Sequence, residues 1–236
     1  MAGGKSGSLI LAGGLVLAAL TFGLLFKAAR ATQHRLQVTG AATQSFDSDV
    51  AKWRLTLSRQ APQGGQGEAY AALRRDAERL LGELRAAGLP DSAFTMLPPS
   101  AQPMWNREGE RSGYNLQQPL FVISLQPDIL ERLATDPSRF TSAGTGVDLS
   151  VLEYFYTGIA ELKHSLLGAA TVDARRRADE IAGSAGSAVG DIVSARAGVF
   201  QITEPYSTEV SGMGMYSTST RRKEITVTVH AEFALR

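Results

Sequence analysis

Residues able to do chemistry are sparse in this chain, and their spacings fall short of the sites they resemble. His34, His164 and His230 stand in three separate segments, too far apart to suggest a metal pair, and each reads as structural or superficial. Asp47 and Asp49 have the i, i+2 spacing that opens a calcium loop, yet the central glycine and the later bidentate glutamate are missing, so turn chemistry is the expectation. Glu108 and Glu110, flanked by Arg107 and Arg111, would do acid–base work only if held against a substrate, and they read as a solvated hairpin tip. The glycine-spaced GSAGSAVG from Gly183 to Gly190 follows a helical pattern, whereas a phosphate cradle follows a strand and opens a helix. A G-x-S-x-G elbow is absent. With no cysteine in the chain, disulfides, thiolate metal sites and cysteine nucleophiles are excluded. A net charge of +1 argues against electrostatic capture of nucleic acid, and Asp173, Asp179 and Glu180 offset the basic run Arg175 to Arg177. A second basic run, Arg221 to Lys223, borders a loop. The expectation is a protein that is not an enzyme, with no catalytic residue, no metal, no cofactor and no small-molecule substrate. A hydrolase using the loop carboxylates is the least favoured alternative. One contact feature stands out, Gly-Met-Gly-Met from Gly212 to Met215, because methionine adapts to partner surfaces; Met213, Met215 and Tyr216 are the candidate contact residues.

The elements that must hold such residues begin with an apolar run, Ser8 to Phe26, with Thr21 as its one interior hydroxyl. As a helix it would span roughly 28 Å, close to the roughly 30 Å of a bilayer core. Its anchoring residues are Leu9, Ile10, Leu11, Leu15, Val16 and Leu17, continuing through Leu20, Phe22, Leu24, Leu25 and Phe26. Lys5 precedes the run and Lys27, Arg30 and Arg35 follow it, which pins both ends but leaves the positive-inside balance nearly even. Ala29-Arg30-Ala31 has the small-x-small form of a cleavage site, but the apolar core exceeds the 7–15 residues of a signal peptide, so an uncleaved anchor is expected. The organisation is then a cytoplasmic 1–7, a transmembrane helix 8–26, a juxtamembrane linker 27–35 and one folded domain 36–236.

Within the domain, Leu36 to Thr43 begins a strand, and Trp53, Leu55 and Leu57 alternate with polar residues in a second. After the breaker APQGGQG, a helix carries Tyr70, Leu73, Ala77, Leu80, Leu81, Leu84 and Ala87 on one face, with Gly88 as its C-terminal cap. Pro98, Pro99 and Pro103 make Phe94 to Trp105 an edge or interrupted strand. Tyr114 to Gln126, apolar on both faces, is predicted to be central and covered on both sides. A short helix from Pro127 and a strand Val147 to Tyr156 follow. A second long helix, Ala160 to Ala185, carries Leu162, Leu166, Ala170, Ala174, Ala178 and Ile181 on one stripe. Asp191 to Thr203 is strand-like, Glu204 to Thr220 a flexible loop, and Glu224 to Leu235 the cleanest alternating strand. The predicted class is α/β (α+β): a duplicated β-α-β-β unit, mostly antiparallel sheet with two long helices on a face, preceded by the transmembrane helix.

The stretch Ala170 to Gly190, ATVDARRRADEIAGSAGSAVG, resembles the helix of the SIMPL-domain family, with Asp173, Ala174, Arg175, Arg177, Ala178, Ile181, Ala182, Gly186 and Gly190 fitting its pattern. Val38-Thr39-Gly40, Ala87-Gly88, Gly113-Tyr114 and the terminal strand are also similar, so the resemblance spans Leu36 to Leu235. Gly198 to Ile202 together with the anchor looks like a membrane-tethered subgroup. The family comprises bacterial envelope proteins, including periplasmic immunogenic and oxidative-stress-defence members. The resemblance implies an α/β domain on the outer side of a bacterial inner membrane, ring-like or channel-like homo-oligomers, and no established catalytic residue. Ala143-Gly144-Thr145-Gly146 stands where the family has a glycine-alanine-asparagine approach to the middle strand. Independently of any family, alanines at every fourth position from Ala170 to Ala182 let a helix lie close on a sheet, and Asp173 can pair with Arg177. The reading is a self-assembling, single-pass envelope protein; the alternative is a ligand- or partner-binding module using loops 106–113 and 204–220.

Overall fold

The structure, a computed structural model, describes residues 13–24 and 34–236. Residues 13–24 are helical (α1). Leu15, Val16, Leu17, Leu20, Phe22 and Leu24 are all exposed on it. Leu9, Ile10, Leu11, Leu25 and Phe26 of the predicted anchor lie outside the described residues, and among the described residues no helix is long and apolar enough to cross a membrane.

The chain folds as two units, each with its own core. One holds residues 41–171 and 197–229, the other the chain up to Gly40 with Val172–Arg196 and His230–Arg236.

In the larger unit, β2 (Val50–Ala61) is central to an antiparallel sheet, with β5 (Arg111–Ser124) on one side and β6 (Thr145–Phe155) on the other. The far edge of β5 is lined by β3 (Phe94–Met96) and then β4 (Ser100–Trp105). That edge strand is interrupted where predicted, because Pro98 and Pro99 supply no ladder donor. Period two on β2 sends Trp53, Leu55 and Leu57 inward against Leu73, Leu80 and Leu84 of α2 (Gln66–Ala86) and Leu130 of α3 (Pro127–Ala134). Removing each such side chain from water contributes about 1.5–3 kcal/mol. Trp53 packs edge-on against Phe140 at 5.8 Å and donates Nε1–H to Ser150 Oγ at 2.9 Å. Gly88, at φ +91°, ends α2, with Leu89 N–H returning to Leu84 O at 3.0 Å.

Two expectations need correction here. Strand β5 is covered on one face only: Leu116, Leu120 and Val122 are buried, while Ile123 is half exposed beside Lys52 and Leu125 is more so. The second departure is the repeat. The order strand, long helix, strands recurs along the chain with α4 (Ile159–Ser184), but β6, the strand before α4, pairs with β2. The long terminal strand β10 (Arg222–Leu235) takes β1 (Arg35–Asp47) as its neighbour instead, so the chain has two mostly antiparallel sheets rather than two self-contained copies of one unit. Sequence periodicity fixes the face of a strand and carries no information on its partner.

The second sheet runs β1, β10, β8 (Gln201–Thr203), β9 (Met215–Tyr216), with β7 (Val189–Ala197) also on β10. β8 pairs with β10 antiparallel and with β9 in parallel. In the larger unit, Ile225, Val227 and Val229 pack on Leu162, Leu166 and Ala170 of α4. In the smaller unit, Val38, Ala231 and Phe233 pack on Ala174 and Ala178. Ile181, predicted on this stripe, is half exposed, and Ala182 is buried in its place. The buried set is thus spaced by four throughout, an i, i+4 row of the kind that packs as a ridge.

Candidate functional site

The contact candidates belong to the segment between β8 and β10, and local hydrogen bonding decides their placement. Met215 and Tyr216 form β9 because Gln201 and Ile202 of β8 accept them in register. Met215 N–H donates to Phe200 O at 3.3 Å and Ser217 N–H to Ile202 O at 2.8 Å. Gln201 clamps the loop from below: its Nε2 donates to Ser211 O at 2.6 Å and its Oε1 accepts from Ser211 N–H at 3.3 Å. Gly214 turns at φ +87°, a conformation that costs a residue with a Cβ. The loop read as flexible is therefore tied at several points. Its apolar side chains nevertheless face outward: Met213 is 95% exposed, Tyr206 94% and Val210 81%.

Beneath Met213 lies a shallow groove of about 420 Å³ lined by Val199, Phe200, Ile202, Met213, Met215 and Tyr216, with Lys163 at its rim. The Lys163 ammonium lies 5.3 Å from the centre of the Phe200 ring, and Tyr216 stacks on Phe155 at 6.4 Å. Burial pushes the Tyr216 phenol up. Apolar walls with one cation at the lip suit an apolar side chain flanked by a carboxylate.

The root of the loop holds polar groups that sequence patterning did not single out. Glu204 Oε1 accepts from Ser217 Oγ at 3.0 Å and Ser219 Oγ at 2.8 Å, and Tyr154 N–H donates to Thr218 O at 2.8 Å. Its own backbone N–H and the two serine hydroxyls hold the Glu204 carboxyl below the usual range. Lys223, expected in a solvated basic run, is fully buried, because period two along β10 puts it on the inward row with Ile225 and Val227. Its Nζ donates to Thr220 O and lies 5.9 Å from the Tyr154 ring centre. Burial pushes the ammonium down to about 8, against a smaller opposite effect of Glu204. Burial and a hydrogen bond to Glu131 push the Tyr154 phenol up to about 12.

The other sequence candidates have structural partners. Asp49 accepts from Thr157 N–H at 2.9 Å and from the Thr157 hydroxyl, and so works as a turn residue. Asn106 Oδ1 accepts from the N–H groups of Glu108 and Glu110 at 3.1 and 2.8 Å, closing the tip with Gly109 at φ +78°. His230 Nδ1 meets Thr39 Oγ1 at 2.9 Å. On α4, Asp173 accepts from Arg176 at 2.6 Å and Arg177 at 2.7 Å. Arg175 donates to Gly190 O at 2.8 Å and Val189 O at 3.1 Å, with its guanidinium 5.5 Å over the Phe233 ring. That clamp, invisible in helical periodicity, fastens the C-terminal half of α4 to the start of β7. Gly186 sits at φ +71°, and a Cβ at Gly190 would come within 3.1 Å of Ala234 O. Asp76 on α2 is the buried carboxylate that patterning missed: it accepts from Ser142 Oγ at 2.8 Å, Thr145 Oγ1 at 2.5 Å and Arg79 at 3.0 Å. Together with Arg59, which donates to Ala143 O at 3.0 Å, it fixes the 141–146 loop whose sequence departs from the family pattern. Among the described residues no three potential metal ligands cluster.

A family model described as SIMPL, protein of unknown function, matches residues 36–233. No curated protein matches the chain.

Proposed function

The chain belongs to the SIMPL family, and on that basis we propose that it is a membrane-anchored, non-catalytic envelope protein that works as a homo-oligomer. A single helix over 8–26 tethers it to the bacterial inner membrane, with the amino terminus cytoplasmic and the domain from Leu36 in the periplasm or at the outer surface. The observation that carries the assembly is the loop: Met213, Tyr206 and Val210 stand in water, and Met213 lines an apolar groove. Covering each in a contact would return about 1.5–3 kcal/mol before the entropy of association is subtracted. For the tether, the support is a run without charge and a described segment, 13–24, that is apolar on every side. Protease treatment of spheroplasts carrying the full chain tests the topology. Digestion from outside must remove the domain and leave a short protected fragment; a fully protected domain would overturn it.

The groove also favours a second reading, capture of a different protein by loop 204–220. Deleting 206–213 would then abolish a pulled-down partner and leave the oligomer's mass unchanged, while the assembly reading requires the mass to fall.

A further inference from the structure

In the smaller unit β10 carries β1 on one side and β7 on the other, and among the described residues neither has a further strand beside it. Thr39 and His230 face each other across β1 and β10, and Ser194 and Glu232 across β7 and β10, at 2.9 and 3.2 Å. Strand β10 is therefore in the middle, and no other described strand pairs with β1 or β7 there. Seven consecutive residues of β7, Asp191 to Ala197, are exposed, Ile192 and Val193 by nearly half. Edge strands are normally blunted by proline, lysine or a covering element. Asp191 to Ala197 contains no proline and no lysine, and its charged residues, Asp191 and Arg196, stand toward its two ends and leave Ile192 to Ala195 uncharged. The backbone on this edge is ready to bond. Gly198 N–H donates to Thr228 O, so by antiparallel alternation the N–H groups of Ala197, Ala195 and Val193 point away from β10. Leu235 N–H donates to His34 O, so by the same rule Gln37 and Thr39 on β1 direct theirs away on the opposite side.

The geometry points to pairing of the open edge of β7 with the β1 edge of a second copy, a contact that specifies how the proposed oligomer is built and rests on that proposal. Both strands run antiparallel to β10 and are thus parallel to each other, so the intermolecular ladder is parallel and the sheet continues from copy to copy. Such a contact is head-to-tail: every copy uses both of its edges, and the series closes into a ring or runs on as a filament. The chain outside the structure selects β1 over a second β7. Anchor residues precede β1 by only a short linker, and head-to-tail pairing puts all β1 starts, and so all tethers, at one end. Antiparallel pairing of β7 with β7 would send them to opposite ends.

Cysteine cross-linking tests this directly, because the chain has no cysteine of its own. Gln37 and Ser194 lie on the same polar face of the sheet, with His230 and Glu232 between them. Within one copy their Cα atoms are two strand spacings apart, about 10 Å, beyond the roughly 7 Å that a disulfide spans. In native membranes holding the full chain with Gln37→Cys and Ser194→Cys together, oxidation should give a ladder running past the dimer. Either single variant should give none. Pairs 39/194 and 39/196 cover a shift in register. Ala195→Pro removes an outward donor without touching the β10 ladder and should cut the cross-linked yield about tenfold. Ala195→Ser should not, and tryptophan fluorescence, in which Trp53 is the buried reporter and Trp105 the exposed one, shows whether each variant folds. Absence of a ladder in all three pairs, while the unmodified chain still runs at a multiple of its monomer mass, overturns the edge contact and leaves self-assembly standing. Efficient dimers from Ser194→Cys alone overturn it in favour of a two-fold β7 contact. A monomeric unmodified chain overturns both.

Discussion

Burial of Lys223 makes stability rise with pH where most proteins are level or declining. Its ordinary value of 10.5 applies in the unfolded chain and about 8 in the folded one, chiefly through desolvation. Below about pH 8 both states are protonated and the cost of the buried ammonium is constant. Between about 8 and 10.5 the unfolded chain binds more protons, so stability increases as pH rises. From pH 7.5 to 9.5 the full shift would be worth about 2 kcal/mol, and allowing for solvent near the amine the expected gain is about 1–2 kcal/mol. The groups facing the amine do not cancel it. Tyr154, raised to about 12, keeps its contribution until pH passes about 10, and Glu204, held low, is ionised throughout. Lys223→Met keeps the volume and removes the charge, so it should be as stable as the parent or more so at pH 7.5 and show no rise to pH 9.5. The assay is denaturant unfolding of the full chain followed by tryptophan fluorescence, as the difference between parent and variant, which removes the titrations the two share. Equal slopes in the two proteins, or a parent whose stability falls across the window, would refute the reasoning.

Three further outcomes follow from geometry. Asp76→Ala strands the hydroxyls of Ser142 and Thr145 and should cost about 2–4 kcal/mol in thermal or denaturant unfolding, with faster amide exchange confined to 141–146; Asp76→Asn should recover part of the loss. A Cβ at Gly113 would collide with Ala61 O across the β2–β5 ladder, so Gly113→Ala should cost at least about 2 kcal/mol, whereas Gly82→Ala, with open space around it, should be neutral or better by circular-dichroism melting. Met213→Asp leaves the unfolding midpoint unchanged and weakens self-association about tenfold or more, read by sedimentation equilibrium in detergent.

Legibility differed between local and long-range features. The inward row of β10, the leucine face of α2 with Gly88 beyond it, and the alanine row of α4 are each written in one periodicity, so the sequence displays them. Lys223 breaks such a row: its charge suggested solvent, while the row of Ile225 and Val227 carried it inside. The partners of β6 and β1 were not legible, because each pairs with a strand far along the chain or in the other half. Neither was the polar root of the contact loop, since Glu204, Ser217 and Ser219 converge only once Gln201 folds the loop back. Asp76 was hidden for the same reason: a carboxylate on an apolar helix face makes sense only when Ser142 and Thr145 arrive from another segment.

The central claim is that the chain acts as an assembly held at a membrane, and its mass there decides the matter. Single-particle mass measurement of the full chain extracted into lipid nanodiscs should give a discrete multiple of the 25.1 kDa chain, shifting toward the single-chain mass with Met213→Asp. A population at one chain per disc, unchanged by concentration or by that substitution, would contradict it.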